Sequence, residues 1–355
     1  GHITQARHLA RRLAVVSPGV SVTICVPLSA FRRMSPGVAA DGDVESDGGV
    51  SYVSYSDDYD DGFDRAADSY AHGPGGGEEE DDAVVRLPGL PPLWARRDLP
   101  SFLAPEALAS LRPHVDVFAV GPVLSFLHDN PKEHAVSPPS PPRDLFEHDG
   151  ESCYLDWLDS KPARSVVYIS FGSSSVMSRE QVAEVADAMA RIKKPFLWVL
   201  RKDNCRDEED DAAIRKLAMG DDGDRLGLVV VWCDQARVLS HPSVACFVTH
   251  CGWNLALEAA VCGVPVVAAP QYSDQGTAAW LVQEWWGTGV CAAARAEDGV
   301  VEAGELVRCV APATSDEVAA RAMAWRERAG AAVANGGSSD RNLREFLTQI
   351  VNGGS

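Results

Sequence analysis

From Ser165 onward the chain alternates short apolar runs with stretches of helical period, and few folds accommodate that rhythm. The runs are "SVVYISFG" from Ser165, "PFLWVLR" from Pro195, "LGLVVVWC" ending at Cys233, "ACFVTHC" from Ala245 and "VPVVAAP" from Val264. Each is apolar at consecutive positions, the mark of a strand covered on both faces. Between them, Ser178 and Gln181 form a capping box that predicts a helix to about Lys193. A charged helix, a short helix over Arg237–Ser240 and a helix over Trp253–Cys262 follow. Doubly covered strands joined through helices predict an α/β fold with a doubly wound parallel sheet.

The first half is less regular. Ile3, Ala6, Leu9, Ala10 and Leu13 share one face, with Arg7, Arg11 and Arg12 elsewhere, so Ile3–Val15 reads as a helix. Val20, Val22, Ile24 and Val26 alternate and predict a strand. Ser51 to Glu80 is rich in aspartate and then glycine, and reads as flexible loop with no core element. The breaker-rich "HDNPKEHAVSPPSPPRD" from His128 is the expected linker. A chain of 355 residues is long for one core. We therefore expect a shortened N-terminal domain over 1–127, a linker over 128–150 and a second domain over 151–335. A terminal helix over 336–355 is expected to pack back on the first domain. Three closing helices are expected, over Glu302–Ala311, Ser315–Val333 and Ser339–Val351.

A formal net charge of -19 disfavours nucleic acid or an anionic membrane as partner, since phosphates call for a basic face. Nine scattered cysteines with no Cys-x-x-Cys suit reduced thiols in the cytoplasm. Cys246, His250 and Cys251, with His241 nearby, are the candidates for zinc, but their spacing fits no common zinc pattern, so no metal is expected. No stretch is apolar for long enough to span a bilayer, and no signal peptide is expected.

Polar and aromatic residues gather at the predicted carboxyl ends of four strands: Ser173 and Ser174, Trp232 with Gln235, His250 to Asn254, and Asp274 with Gln275. Open α/β sheets bind ligands at that edge. Gly252 allows close approach to the backbone at a helix start whose free amides suit an anion, with His250 and Asn254 adding donors. Glu258, four residues after Asn254, falls on the same helix face, where a carboxylate can accept from a ribose diol. Trp232 offers a flat face to a base, and Asp274 with Gln275 can read sugar hydroxyls. Base, ribose, diphosphate and sugar together describe a nucleotide-sugar. Taken singly, Trp232 and Trp253 read equally well as core aromatics and Asn254 as a helix cap; the ordered series favours the ligand.

From Trp232 to Gln275 the sequence resembles the signature box of the plant family 1 UDP-glycosyltransferases: W-C-x-Q, L-x-H, F-x-T-H-C-G-W-N, E, G-V-P, P and D-Q in register. The resemblance extends over "VVYISFGSSSVMSREQ", "PFLWVLRK", "WGTGV" and "GGSSDRNLREF". In the first half, "GHITQARHLARRL", "YSDDYDDGFDRA" and "PGLPPLWARRDLPSFL" are similar to the anthocyanin 5-O-, crocetin and hormone-acid glucosyltransferase branch. The resemblance implies a GT-B fold of two Rossmann-like domains, the N-terminal one incomplete, with the donor in the C-terminal domain. Carried over residue by residue, it implies that Trp232 stacks uracil and the Cys233 backbone bonds it. Gln235 and Glu258 would hold the ribose. Ser173, His250, Asn254 and the amides near Gly252 would hold the diphosphate. Trp253, Asp274 and Gln275 would read the hexose, with the final glutamine favouring glucose, and His2 would be the catalytic base.

The implied activity is inverting transfer of glucose from UDP-glucose to a hydroxyl or carboxylate of a small plant metabolite. A flavonoid such as quercetin, an anthocyanin or a hormone-like acid is implied as acceptor, with no cofactor or metal and a monomeric cytoplasmic enzyme. Three departures from the family pattern are visible. The family's opening strand would precede Gly1, leaving His2 without the strand that aims it. The stretch between "DDGFD" and "LPGLPP" is reduced to the Gly/Glu loop of Ser69 to Asp82, and a further family segment would fall between Leu103 and Ala104. Leu255 stands where the family carries serine. A degenerate UDP-sugar-binding protein with little or no turnover is therefore the alternative. A dinucleotide-dependent oxidoreductase ranks below both, since no G-x-G-x-x-G follows a strand.

Overall fold

The computed structural model describes residues 2–16, 22–27, 31–32, 44–47, 50–55, 84–85, 93–94, 119–122, 153–172, 175–201, 204, 208–219, 226–272 and 274–353. The chain divides into two compact units, one combining the N-terminal segment with Ala332–Ser355 and the other built on Glu147–Ala331.

In the first unit, helix α1 (His2–Val16) precedes strands β1 (Val22–Pro27), β2 (Val44–Asp47) and β3 (Val50–Tyr55). β1 pairs parallel with β3, and β3 antiparallel with β2. Ala10, Val26, Phe31, Val50 and Tyr52 form the core between them. This corrects the flexible-loop reading of Ser51–Glu80 at its start, because Ser51–Tyr55 is strand and Tyr52 is 1% exposed. The alternation Val50, Tyr52, Ser54 was the signal, hidden by the aspartates that follow. The rest of that loop and the expected linker lie outside the described residues. Two short strands, β4 (Val84–Val85) and β5 (Leu93–Trp94), pair antiparallel.

The second unit opens with α2 (Cys153–Asp159), β6 (Val166–Ser170), α3 (Arg179–Ile192), β7 (Phe196–Val199), α4 (Glu208–Met219) and β8 (Gly227–Val230). It continues through α5 (Gln235–Leu239), β9 (Val244–Thr249), α6 (Trp253–Cys262), β10 (Val266–Ala268) and α7 (Gln275–Trp280). A π-helical turn (Leu281–Trp285), β11 (Gly289–Cys291), α8 (Ala303–Ala313) and α9 (Asp316–Val333) complete it. Helix α10 (Ser338–Gly353) belongs to the first unit. There the Ser339 hydroxyl donates to the Gly121 carbonyl at 2.5 Å and Asn342 Nδ2 to the Ala119 carbonyl at 2.9 Å. Arg12 of α1 donates to the Val120 carbonyl at 3.2 Å.

The six strands of the second unit are all parallel, in the order β11-β10-β9-β6-β7-β8. The chain moves outward from β6 to β8, then returns to β9 beside β6 and moves outward the other way. That reversal opens a crevice between the carboxyl ends of β6 and β9. Both faces of the sheet are covered, as the apolar runs predict. Val167 and Ile169 of β6 and Cys246 and Val248 of β9 pack with Val185 and Met189 of α3 and Leu306 and Val310 of α8. On the opposite face Tyr168 stacks on Phe247, ring centres 4.7 Å apart.

Local chemistry explains the boundaries. Ser178 caps α3 by accepting from the Gln181 N–H at 3.1 Å, and Lys193 ends it in the left-handed region at φ 53°. The second half of the predicted capping box is absent. The Gln181 amide instead pairs with both backbone groups of Val301, at 3.0 and 2.8 Å, because that partner is buried and water is not at hand. α2, α7, the π turn and β11 escaped the sequence reading; the last is only three residues long. Among the described residues no helix is long and apolar enough to cross a membrane.

Candidate functional site

The site grows from the carboxyl end of β9. The strand ends at Thr249, and Cys251 turns the chain in the left-handed region at φ 59°. Gly252 is the N-cap of α6, without a side-chain cap of its own. The first-turn amides of α6 have no acceptor within the helix. One is taken by a residue two elements away, since Trp253 N–H donates to Asp274 Oδ2 at 3.3 Å. Asn254 and Leu255 are half-buried on that first turn.

His250 lies in a slot made by glycines. A Cβ on Gly172, after β6, would sit 2.6 Å from His250 Cε1, and one on Gly252 would sit 2.8 Å from Nε2. Neither residue tolerates a side chain while the ring stays in place. The ring is 8% exposed, and its Nδ1 is buried with no hydrogen-bond partner among the described residues. Burial drives its pKa down from 6.5 to about 4, against an opposing pull from Asp274. The imidazole is therefore neutral near pH 7, and it offers a donor or acceptor, not a charge. An orphaned buried nitrogen beside a helix start points to an absent partner.

A second group lies one turn further along α6. Glu258 is 9% exposed, and its Oε2 accepts from Gln235 Nε2, at the start of α5, at 2.5 Å. Asp234 caps α5 by accepting from the Arg237 N–H at 3.1 Å, and its own N–H donates to the Tyr154 hydroxyl at 3.1 Å. Cys233 is buried, with Sγ 3.3 Å from the Tyr168 hydroxyl. Trp232 is half-buried just after β8.

The third group follows β10. Gln275 Oε1 accepts from the Gln271 and Tyr272 N–H groups at 2.8 and 3.1 Å. Two backbone donors fix which end of the amide is oxygen. Its Nε2 has no hydrogen-bond partner among the described residues. Gln275 is 3% exposed, whereas Asp274 is exposed. The buried Ser175 hydroxyl, beyond β6, donates to the Gln271 side-chain carbonyl and ties two loops together above the crevice.

The structure thus brings His250, Gly252, Trp253 and Asp274 together around the start of α6, pairs Gln235 with Glu258, and locks Gln275 into the adjoining loop. Ser173 lies outside the described residues. His2 is the first residue of α1, in the other unit, and its side chain is outside the described residues. Sequence reasoning missed Gly172, Ser175, Gln271 and Tyr168. For Tyr168 and Ser170 the signal was present: two hydroxyls inside an apolar strand call for buried partners.

A six-stranded parallel sheet with helices on both faces and a reversal of strand order between β6 and β9 defines the doubly wound, Rossmann-type α/β class. Comparison narrows the class. The family model for UDP-glucoronosyl and UDP-glucosyl transferase matches residues 150–307. The anthocyanidin 3-O-glucoside 5-O-glucosyltransferase 1 of Perilla frutescens is 31% identical over 457 aligned positions, covering 99% of this chain and 96% of the relative. The phloretin 4'-O-glucosyltransferase of Malus domestica is 38% identical over 310 positions, covering 75% of this chain and 64% of the relative. The crystal structure of Os79 from O. sativa in complex with UDP superposes with a TM-score of 0.60 at 31% identity, covering 69% of this chain and 53% of that one. The chain belongs to the plant family 1 UDP-glycosyltransferases, and its fold is of their GT-B class.

The match is unequal along the chain. Against several relatives the chain spans about half to two-thirds of their length, 64% for the apple enzyme and 52% for the crocetin glucosyltransferase of Gardenia jasminoides. The Perilla alignment has 457 positions against 355 residues, so that relative carries internal segments without counterparts here.

Proposed function

We propose that this chain binds UDP-glucose through its second unit and transfers the glucose with inversion to a hydroxyl or carboxylate of a small plant metabolite. A phenolic such as a flavonoid or anthocyanin, or a hormone-like acid, is the acceptor class, and the protein works in the cytoplasm as a monomer. The observation that carries the donor half is the order of groups from the end of β9 along α6. The orphaned His250 Nδ1 and the helix start come first, and Glu258, already hydrogen-bonded to Gln235, comes one turn later. That spacing suits two phosphates followed by a ribose diol. UDP in Os79 supports the same reading by likeness.

In this proposal Trp232 stacks the uracil, the Cys233 backbone bonds its edge, and Gln235 with Glu258 holds the ribose. Ser173, His250, Asn254 and the amides after Gly252 hold the diphosphate. As the glycosidic bond breaks, negative charge grows on the leaving phosphate, and aligned amides stabilise it without a metal. The neutral His250 contributes an N–H without adding a competing charge. Trp253, Asp274 and the Gln275 N–H meet the hexose hydroxyls. His2 takes the acceptor's proton as its oxygen attacks the anomeric carbon.

The test is titration calorimetry with UDP, paired with turnover of UDP-glucose against phenols, flavonoids and aromatic acids. Binding with glucoside formation is expected, with binding reduced at least tenfold by Glu258→Ala. Binding without turnover on the whole panel would favour the donor-holding alternative. Absence of UDP binding overturns the reading.

A further inference from the structure

Tyr168 lies against the Gln235–Glu258 pair. Tyr168 of β6 is fully buried, with its ring stacked on Phe247 of β9 at 4.7 Å and 15°. Its hydroxyl is 3.4 Å from Gln235 Oε1 and 3.3 Å from Cys233 Sγ. Ser170, two residues along the same strand and also buried, is a further hydrogen-bond neighbour of that hydroxyl. Ser170 Oγ in turn accepts from the Gly172 N–H at 3.5 Å, at the edge of the slot that holds His250.

Proton accounting fixes the direction of this network. The Gln235 end that faces Glu258 is the NH2 group, which donates to Oε2. The carbonyl end then faces Tyr168 and only accepts. The phenol must therefore spend its single proton on Gln235, and Cys233 and Ser170 must act as donors toward it. The chain runs one way, from thiol and hydroxyl to phenol to amide to carboxylate. At 3.4 Å the phenol–amide contact is long for an O–H donor, so its value lies in orientation more than in strength.

We infer that Tyr168 is a positioning residue of the ribose subsite: its hydroxyl sets which end of the Gln235 amide faces Glu258, and thereby holds the carboxylate for the 2′- and 3′-hydroxyls of a nucleotide. The inference rests on the uridine-diphosphate reading of the site. Without the hydroxyl, only the contact with Glu258 opposes rotation of the amide, and the carbonyl end is left without its buried donor. Half a turn would place its carbonyl against the carboxylate, two acceptors facing each other, and Glu258 would move away from the diol.

Tyr168→Phe tests this, because it removes one oxygen and keeps the ring stacked on Phe247. Affinity is measured by calorimetry for UDP and for 2′,3′-dideoxy-UDP, which lacks both hydroxyls. UDP binding is expected to weaken about three- to tenfold, as for one modest hydrogen bond, with dideoxy-UDP unchanged within about twofold. KM for UDP-glucose should rise by the same factor with kcat nearly constant, and Tyr168→Phe should add nothing in a Gln235→Ala background. Equal weakening for both nucleotides would mean that Tyr168 serves packing only, and no change for either would mean that the hydroxyl orients nothing; both overturn the inference. A wild-type protein that binds neither nucleotide overturns the donor reading and this inference with it, whereas wild-type binding with an unaffected Phe variant removes the inference alone.

Discussion

Replacing Gly172 by alanine separates two costs that the structure combines at one position. Gly172 has φ 75°, a left-handed conformation that costs a side chain about 1–2 kcal/mol. A lower entropy of the unfolded alanine chain offsets about 0.4–1 kcal/mol of that. The added Cβ would also stand 2.6 Å from His250 Cε1, where ordinary contact begins at 3.4 Å, so the ring must retreat by most of an ångström. The other side of the ring faces Gly252, where a Cβ would likewise stand 2.8 Å from Nε2. Two further variants isolate the terms. Gly252→Ala crowds the same ring at φ -59°, without backbone strain. Gly299→Ala, at φ 72° with nothing within 4 Å of its Cβ, carries the strain alone. Urea unfolding should show Gly172→Ala as the least stable of the three, by roughly 1–3 kcal/mol, with Gly252→Ala closer to wild type. Calorimetry with UDP should show both Gly172→Ala and Gly252→Ala weakened about tenfold, the worth of one displaced charge-assisted donor, and Gly299→Ala unaffected. A Gly172→Ala protein that binds and unfolds like wild type, or a Gly299→Ala protein that loses UDP affinity as they do, would show that the glycine slot does not hold the His250 ring.

The second unit was readable because its strands are buried on both faces, which leaves an unbroken apolar signal with glycines and prolines at the ends. Helix α6 emerged with its predicted ends because both carry explicit stops, Gly252 before it and Gly263 at φ 71° after it. β11 and the π turn beside it carry no such signal. β11 has three residues, and its register depends on the pairing of Val266 with Gly289. Pairing partners distant in sequence leave no local trace. The same distinction holds in the site. Asn254 and Glu258 lie on one helix, so their relation follows from helical period alone, and His250 immediately precedes it. The bond from Asp274 to the Trp253 N–H and the one from Ser175 to Gln271 depend on how separate strands end side by side. Gln275 shows a further limit: its type suggests a hydrogen-bonding partner for a sugar, but only the fold reveals that its oxygen already holds two backbone donors.

Two further variants probe the start of α6. Leu255→Ser restores a hydroxyl on the first turn, and UDP should bind about 5- to 30-fold tighter, one charge-assisted hydrogen bond less some loss from reordering; unchanged calorimetric affinity would show that this position does not face the diphosphate. His250 gives a test by pH alone. Its pKa falls from 6.5 unfolded to about 4 folded, so between those values the unfolded chain binds the extra proton. Stability from this group is full above pH 6.5 and is lost as pH falls toward 4, by about 3 kcal/mol across the window. Carboxylates titrate over part of the same range, so the readout is the difference between wild type and His250→Asn, whose stability should fall less steeply on acidification. Ring titration by NMR provides the direct check. A midpoint near 6.5 in the ligand-free protein would mean that the imidazole is solvated, and the argument from its orphaned nitrogen would lose its basis.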